Sequence, residues 1–121
     1  MARWKIKNVG MKGVAMAVPE NVVKTSDFDF FSQEEAEVFD NTVGIRRRHI
    51  APDNMCASDM CQAAAEKLLE ELGWERDSID VLLFESVTGD YRTPPTSCIL
   101  QDRLALSENC FCMDIPMGCC G

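Results

Sequence analysis

Four consecutive apolar residues, Val81-Leu82-Leu83-Phe84, sit between a helically periodic stretch and a Pro-containing loop. A run of that length reads as a strand. Because it is continuous rather than alternating, it predicts burial on both faces, as in a parallel sheet flanked by helices. The flanks agree. Upstream, Met60, Ala64, Leu68 and Leu72 recur every four residues, and Cys61, Ala65 and Leu69 widen the stripe. Gln62, Glu66, Glu70 and Glu71 take the other face. This predicts a helix over about 58–73, with Ser58 as N-cap, Asp59 behind it and Gly73 as the closing residue. Downstream, 88–95 reads as a loop. A second helix over about 96–106 carries Ile99, Leu100, Arg103 and Leu104, and a strand at 110–115 follows. Helix, strand, helix, strand is a βαβ-type order. The predicted class is α/β, a mixed sheet with flanking helices. Ligands in such sheets bind beyond the C-terminal ends of the strands, where the 88–95 loop and the 116–121 turn would both lie.

The first third of the chain is less regular. Residues 3–18 alternate loosely and predict one or two strands, with Gly10 at a bend or bulge. Asn21-Val22-Val23 reads as a connector. Ser32 with Glu35 three residues later has capping-box spacing, and Phe31 before it is placed to staple to Ala36. A short acidic helix over about 33–40 follows, ending before Gly44. The segment 44–50 then reads as extended, stopped by Pro52. Phe28, Phe30 and Phe31 are expected to pack in a core or lid. Pro94-Pro95 is expected to stiffen its loop.

Composition narrows the function. At 121 residues the chain is one domain, residues 1–121, able to bury a modest core. Its net charge of −8 disfavours nucleic acid, whose phosphates need a basic footprint. No apolar run approaches the roughly 18 residues of a membrane span. The N-terminus has basic residues but no apolar stretch behind them, so a soluble cytoplasmic protein is expected. The 7 cysteines, at 56, 61, 98, 110, 112, 119 and 120, include no Cys-x-x-Cys pair, and His49 is the only histidine. No metal site, disulfide framework or tightly bound cofactor is expected. Most thiols are expected to be small buried apolar groups. Arg46-Arg47-Arg48 is the one basic cluster. It is suited to a phosphate or an acidic protein, or alternatively to surface pairing with nearby carboxylates. On a strand, Arg46 and Arg48 would face one way and Arg47 the other.

The run Asp114-Ile115-Pro116-Met117-Gly118-Cys119-Cys120-Gly121 places a thiol where a strand breaks into a Gly-rich turn. A helix beginning just after such a turn points its N–H groups at the sulfur and favours the thiolate, which is the nucleophile. The alternative is a pair of buried structural thiols. Asp114, in mid-strand, is expected to be a hydrogen-bonded structural carboxylate, because an unpaired buried charge is costly.

Two motifs carry a family resemblance. Thr42-Val43-Gly44-Ile45-Arg46-Arg47-Arg48-His49-Ile50-Ala51 resembles the T-G-I-R-x-R-H segment of β-ketoacyl-acyl-carrier-protein synthase III. Asp114-Ile115-x-x-x-Cys119-x-Gly121 resembles that family's active-site strand and nucleophile elbow. Leu100-Gln101-x-x-Leu104 is similar to the helix before that strand. The resemblance implies a partial thiolase-like fold, mostly its N-terminal half, with Cys119 as the catalytic nucleophile. It implies an acyltransferase of fatty acid biosynthesis: acyl transfer from acyl-coenzyme A to cysteine, then decarboxylative condensation with malonyl-acyl carrier protein. Those two substrates are the implied partners, and the full-length enzyme is implied to be a homodimer. The family's His and Asn lie in its second half, so the 121-residue chain is expected to be inactive alone. His49 belongs to the Arg-rich motif and is not that histidine. Where the family often has a Trp and an Arg that hold the coenzyme A adenine, this chain has Val38 and Thr42, which neither stack nor pair in the same way. Nearby alternatives are a hydroxymethylglutaryl-coenzyme A synthase-like or polyketide-type enzyme. A further alternative is a non-catalytic half-thiolase interaction module.

Overall fold

The apolar run at 81–84 is a strand, and its partner is the strand expected at 110–115. The structure, a computed structural model, describes residues 5–118. In chain order its elements are β1 (Val22–Lys24), a 3-10 turn (Thr25–Asp27), α1 (Gln33–Val43) and β2 (Arg47–His49). Then come α2 (Ala57–Leu72), a second 3-10 turn (Arg76–Ser78), β3 (Val81–Glu85), α3 (Thr96–Arg103) and β4 (Phe111–Ile115). β3 and β4 pair in parallel, Val81 opposite Phe111 through Glu85 opposite Ile115. The crossover between them contains α3, as a parallel pair requires. β1 and β2 form a separate antiparallel ladder.

The core lies on one face of β3 and β4. Phe84, Leu100, Leu104, Leu106 and Cys110 are buried together, and Ala57, Ala65, Leu69, Ile79, Leu82 and Cys112 pack against them. The other face differs from expectation. Val81, Leu83, Phe111 and Met113 are 54%, 54%, 57% and 43% exposed. The continuous apolar run was expected to be covered on both sides; among the described residues only one side has a layer over it.

Caps explain most boundaries. Ser32 and Glu35 form the expected box: the Ser32 N–H donates to Glu35 Oε2 at 2.9 Å and the Glu35 N–H to Ser32 Oγ at 3.3 Å. These bonds, the backbone one first, hold the Glu35 carboxyl below its usual range. α1 runs three residues past the expected 40, to Val43, and stops at Gly44, whose φ of 78° is left-handed. α2 ends as expected: Gly73 is left-handed, and its N–H and that of Trp74 bond back to Glu70 and Leu69.

Several boundaries correct the sequence reading. α2 begins at Ala57, so Cys56 rather than Ser58 precedes it. The Cys56 N–H donates to Asp59 Oδ2 at 2.7 Å, while Ser58 lies inside the first turn, fully buried. α3 ends at Arg103 rather than 106. Ala105, at φ 48°, closes it with the paired bonds Ala105 N–H to Asp102 and Leu106 N–H to Gln101. A non-Gly residue at that position leaves no stop signal to read. Val22 and Val23 are part of a strand rather than a connector, paired with His49 and Arg48. Three residues per strand is too short for a period-two pattern to stand out.

The strands expected at 3–18 do not form among the described residues: 5–18 has no assigned strand. The segment is nonetheless placed. A Cβ on Gly13 would lie 2.8 Å from a Leu68 methyl and 3.3 Å from one of Leu72, so the backbone lies close against α2. Ala15 and Ala17 are half-buried on alternate positions, while Val14, Met16 and Val18 point outward, 74%, 76% and 49% exposed. The loose alternation is real, but no ladder partner adjoins it.

Candidate active site

β4 is aimed by a carboxylate. α3 is preceded by Pro95, which has no side chain able to cap a helix. Asp114 on β4 supplies the cap from across the fold: the Thr96 and Ser97 N–H groups donate to its two oxygens at 2.7 and 2.8 Å. Burial pushes the Asp114 carboxyl up. The bonds from Ser97 and Thr96 more than offset this, leaving it below its usual range. The expected structural role for Asp114 is thereby given a partner, the first turn of α3.

The loop after β3 is held on the same side. The Thr96 hydroxyl accepts the Asp90 N–H at 3.1 Å. Ser58 Oγ–H donates to the Asp90 carboxylate and accepts from Arg103 Nη1 at 3.0 Å, while Arg103 also bridges Asp59 at 3.0 Å. This Arg103–Ser58–Asp90–Thr96 chain pins the loop to α2 and α3. Sequence reasoning missed it; a serine in the first turn of an apolar helix was its only trace. Asp90 Oδ1 and Ser97 Oγ are buried with no hydrogen-bond partner among the described residues.

The segments leaving β3 and β4 meet at the C-terminal edge of the parallel pair. The Ser86 N–H reaches the Ile115 carbonyl at 3.3 Å, and Met117 turns back to that carbonyl at 2.8 Å. Val87 lies 4.0 Å from the position of a Cβ on Gly118. Cys119, the predicted nucleophile, is the next residue and lies outside the described residues, as does Cys120.

The other thiols divide. Of the five cysteines described, Cys110 is buried and Cys112 partly so, while Cys56, Cys61 and Cys98 are exposed. Cys56 precedes α2, and Cys61 and Cys98, on α2 and α3, lie outside the buried cluster. Burial, then the neighbouring Cys110, pushes the Cys112 thiol up to about 11. Burial and the Asp90 carboxylate raise that of Cys61. Neither is a thiolate at neutral pH.

The Arg triplet splits in an unexpected way. Arg48 turns inward, donating to the buried Thr25 hydroxyl at 3.1 Å and lying over the Phe39 ring at 5.3 Å. Thr25 in turn donates to Asp40 at 2.5 Å. Arg46 does not accompany Arg48; it lines a cleft with Arg47. His49 Nδ1 sits 2.5 Å from the Pro19 carbonyl, fastening the ladder to the N-terminal segment. Phe28, Phe30, Phe31 and Phe39 form a chain of ring contacts 4.8–5.3 Å between centroids, although Phe30 is 73% exposed. Beside it, Val38 and Thr42 line an open apolar groove with Phe31, Phe39 and Val43. The Thr42 hydroxyl is occupied by the Val38 carbonyl at 2.8 Å.

A parallel pair with a helical crossover, one face of its sheet uncovered and a capped strand leading toward Gly118, is part of a thiolase-like fold. No family model matches the chain. The 3-oxoacyl-(acyl-carrier protein) synthase of Burkholderia xenovorans superposes with a TM-score of 0.81 at 38% identity, covering 91% of this chain and 33% of that one. Xanthomonas campestris OleA, at 24% identity and a TM-score of 0.73, shares the fold alone. Among curated relatives, β-ketoacyl-[acyl-carrier-protein] synthase III of Geobacillus kaustophilus is 36% identical over 112 residues, 93% of this chain and 36% of that protein. The same enzyme of Clostridium perfringens is 34% identical over 116 residues, 96% of this chain and 35% of that protein. The chain is similar to β-ketoacyl-[acyl-carrier-protein] synthase III along nearly its whole length. It spans about a third of the length of the curated relatives it matches.

Proposed function

We propose that the complete protein is a condensing acyltransferase of the β-ketoacyl-acyl-carrier-protein synthase III type, with Cys119 as its nucleophile. The observation that carries this reading is the Asp114 cap, which holds the strand leading to Cys119 against α3, in a chain similar to that family along nearly its whole length. The Cys119 thiolate would attack the carbonyl of an acyl-coenzyme A, forming an acyl–sulfur bond and expelling the coenzyme A thiolate, which takes up a proton. Loss of carbon dioxide from malonyl-acyl carrier protein leaves a carbanion. It attacks the acyl-enzyme carbonyl, forms the carbon–carbon bond and returns the thiolate. Backbone N–H groups at the elbow would hold the developing oxyanion.

On this reading the acyl donor and the carrier protein are the partners, the full-length enzyme is a cytoplasmic homodimer, and it works in fatty acid biosynthesis. The test is mass-spectrometric peptide mapping after brief iodoacetamide or acyl-coenzyme A treatment near neutral pH. Selective modification of Cys119 is expected. Exposed Cys56 and Cys98 serve as references, and Cys61 and Cys112, whose thiols are raised, are expected to react slowly. Labelling of Cys119 no faster than Cys56 in the complete protein would refute the nucleophile assignment and favour a non-catalytic module.

A further inference from the structure

Lys24 and Arg47 face each other across the β1–β2 ladder. Like charges directly opposite on a sheet destabilise it, yet here a third cation, Arg46, joins them. The three line one surface cleft of about 420 Å³ together with Ser26 and Asp40. All three cations are exposed. The ion pairs among the described residues are Lys67–Glu71 and Arg103–Asp59, and neither involves this cleft. The expected pairing of the Arg cluster with surface carboxylates therefore does not occur here. Asp40 is the one carboxylate in the lining, and one of its oxygens is engaged by Thr25. Three cations against one carboxylate leave a concentrated positive spot on a chain whose net charge is −8.

We propose that this cleft binds a phosphate-ester group. The chemistry favours a compact oxyanion over a broad acidic surface. Two guanidiniums offer planar forks that match phosphate oxygens, Lys24 adds a point charge and Ser26 a neutral hydroxyl donor. The overall acidity of the chain would repel an extended polyanion, whereas a single phosphate meets only the local field. Binding would also relieve the Lys24–Arg47 repulsion, so the ligand stabilises the ladder that carries it. The cleft shares no lining residue with the Val38–Thr42 groove. The identity of the natural ligand, though not the binding itself, rests on the proposed function: the phosphates are those of free coenzyme A or of a carrier-borne phosphopantetheine arm.

The test is calorimetric and thermal titration of the complete protein carrying Cys119→Ala, with inorganic pyrophosphate as the probe and sodium chloride of equal ionic strength as the control. Pyrophosphate is expected to bind and to raise the melting temperature beyond the salt control. Lys24→Gln and Arg47→Gln are each expected to weaken binding about fivefold, the loss of one exposed charge pair. Without phosphate, Lys24→Gln is expected to melt no lower than the parent, since it removes a repulsion. Coenzyme A binding more tightly than phosphopantetheine assigns the free thioester, and the reverse order assigns the carrier arm; either supports the site. A pyrophosphate response no greater than that of salt, or one unchanged in both variants, overturns it. Because Cys119 is absent from the experiment, its result does not depend on whether that thiol is acylated.

Discussion

Asp114 connects the fold to the proposed chemistry, and replacing it separates the two contributions it makes. Asp114→Ala removes both acceptors from the first turn of α3 and leaves the Thr96 and Ser97 N–H groups bare. Hydrogen bonds to a charged group contribute about 1.5–3 kcal/mol each. Asp114 is only half-buried, so screening reduces the pair to a combined loss of about 2–3 kcal/mol. For a domain whose total stability is about 5–15 kcal/mol, that is a large share. In urea it would lower the midpoint by about 1 M or more. Asp114→Asn keeps one carbonyl acceptor but no charge, and is expected to lose about half as much. The pH dependence gives an independent check. The folded-state pKa is depressed, so this contribution is complete above the unfolded value of about 3.9 and disappears as pH falls through the lower, folded value. The gap between parent and Asp114→Asn should hold from pH 7 to about 5 and shrink toward pH 3. A midpoint for Asp114→Ala within error of the parent, or a gap that ignores pH, would refute the capping argument.

Two further predictions concern the loop and the open sheet face. Ser58→Ala deletes the hydroxyl that donates to the partly buried Asp90 carboxylate and accepts from Arg103, with an expected cost of about 2 kcal/mol. In the Asp90→Asn background the same change should cost clearly less, and additive losses in that cycle would break the proposed network. The uncovered face of Val81, Leu83, Phe111 and Met113 should bind a hydrophobic dye and drive self-association of the 121-residue chain. Leu83→Lys with Met113→Lys should reduce both while leaving far-ultraviolet circular dichroism unchanged; undiminished association by sedimentation would place the sticky surface elsewhere.

What could be read in advance was whatever a residue settles with neighbours a few positions away. Ser32 and Glu35 announce α1, Gly73 ends α2, and the 3.6-residue stripe places α2 within a residue. Features whose partner lies far along the chain were not readable. Pro95 gives α3 no cap, and the group that caps it comes from Asp114, on a later strand. Ala105 closes that helix where a glycine would have been the signal. The Arg triplet looked like one cluster. Thr25, 23 residues before Arg48, takes that arginine inward, while Lys24 across the ladder turns the other two into a cleft. The same distinction applies to the thiol. A Gly-flanked cysteine after a strand is a local pattern, and it suggests a nucleophile without distinguishing it from a buried pair. The nonlocal Asp114 bonds add only that β4 is held against the first turn of α3. A reactive Cys119 should therefore lose selectivity in Asp114→Ala, although the two residues are five positions apart and the substitution leaves the thiol itself untouched.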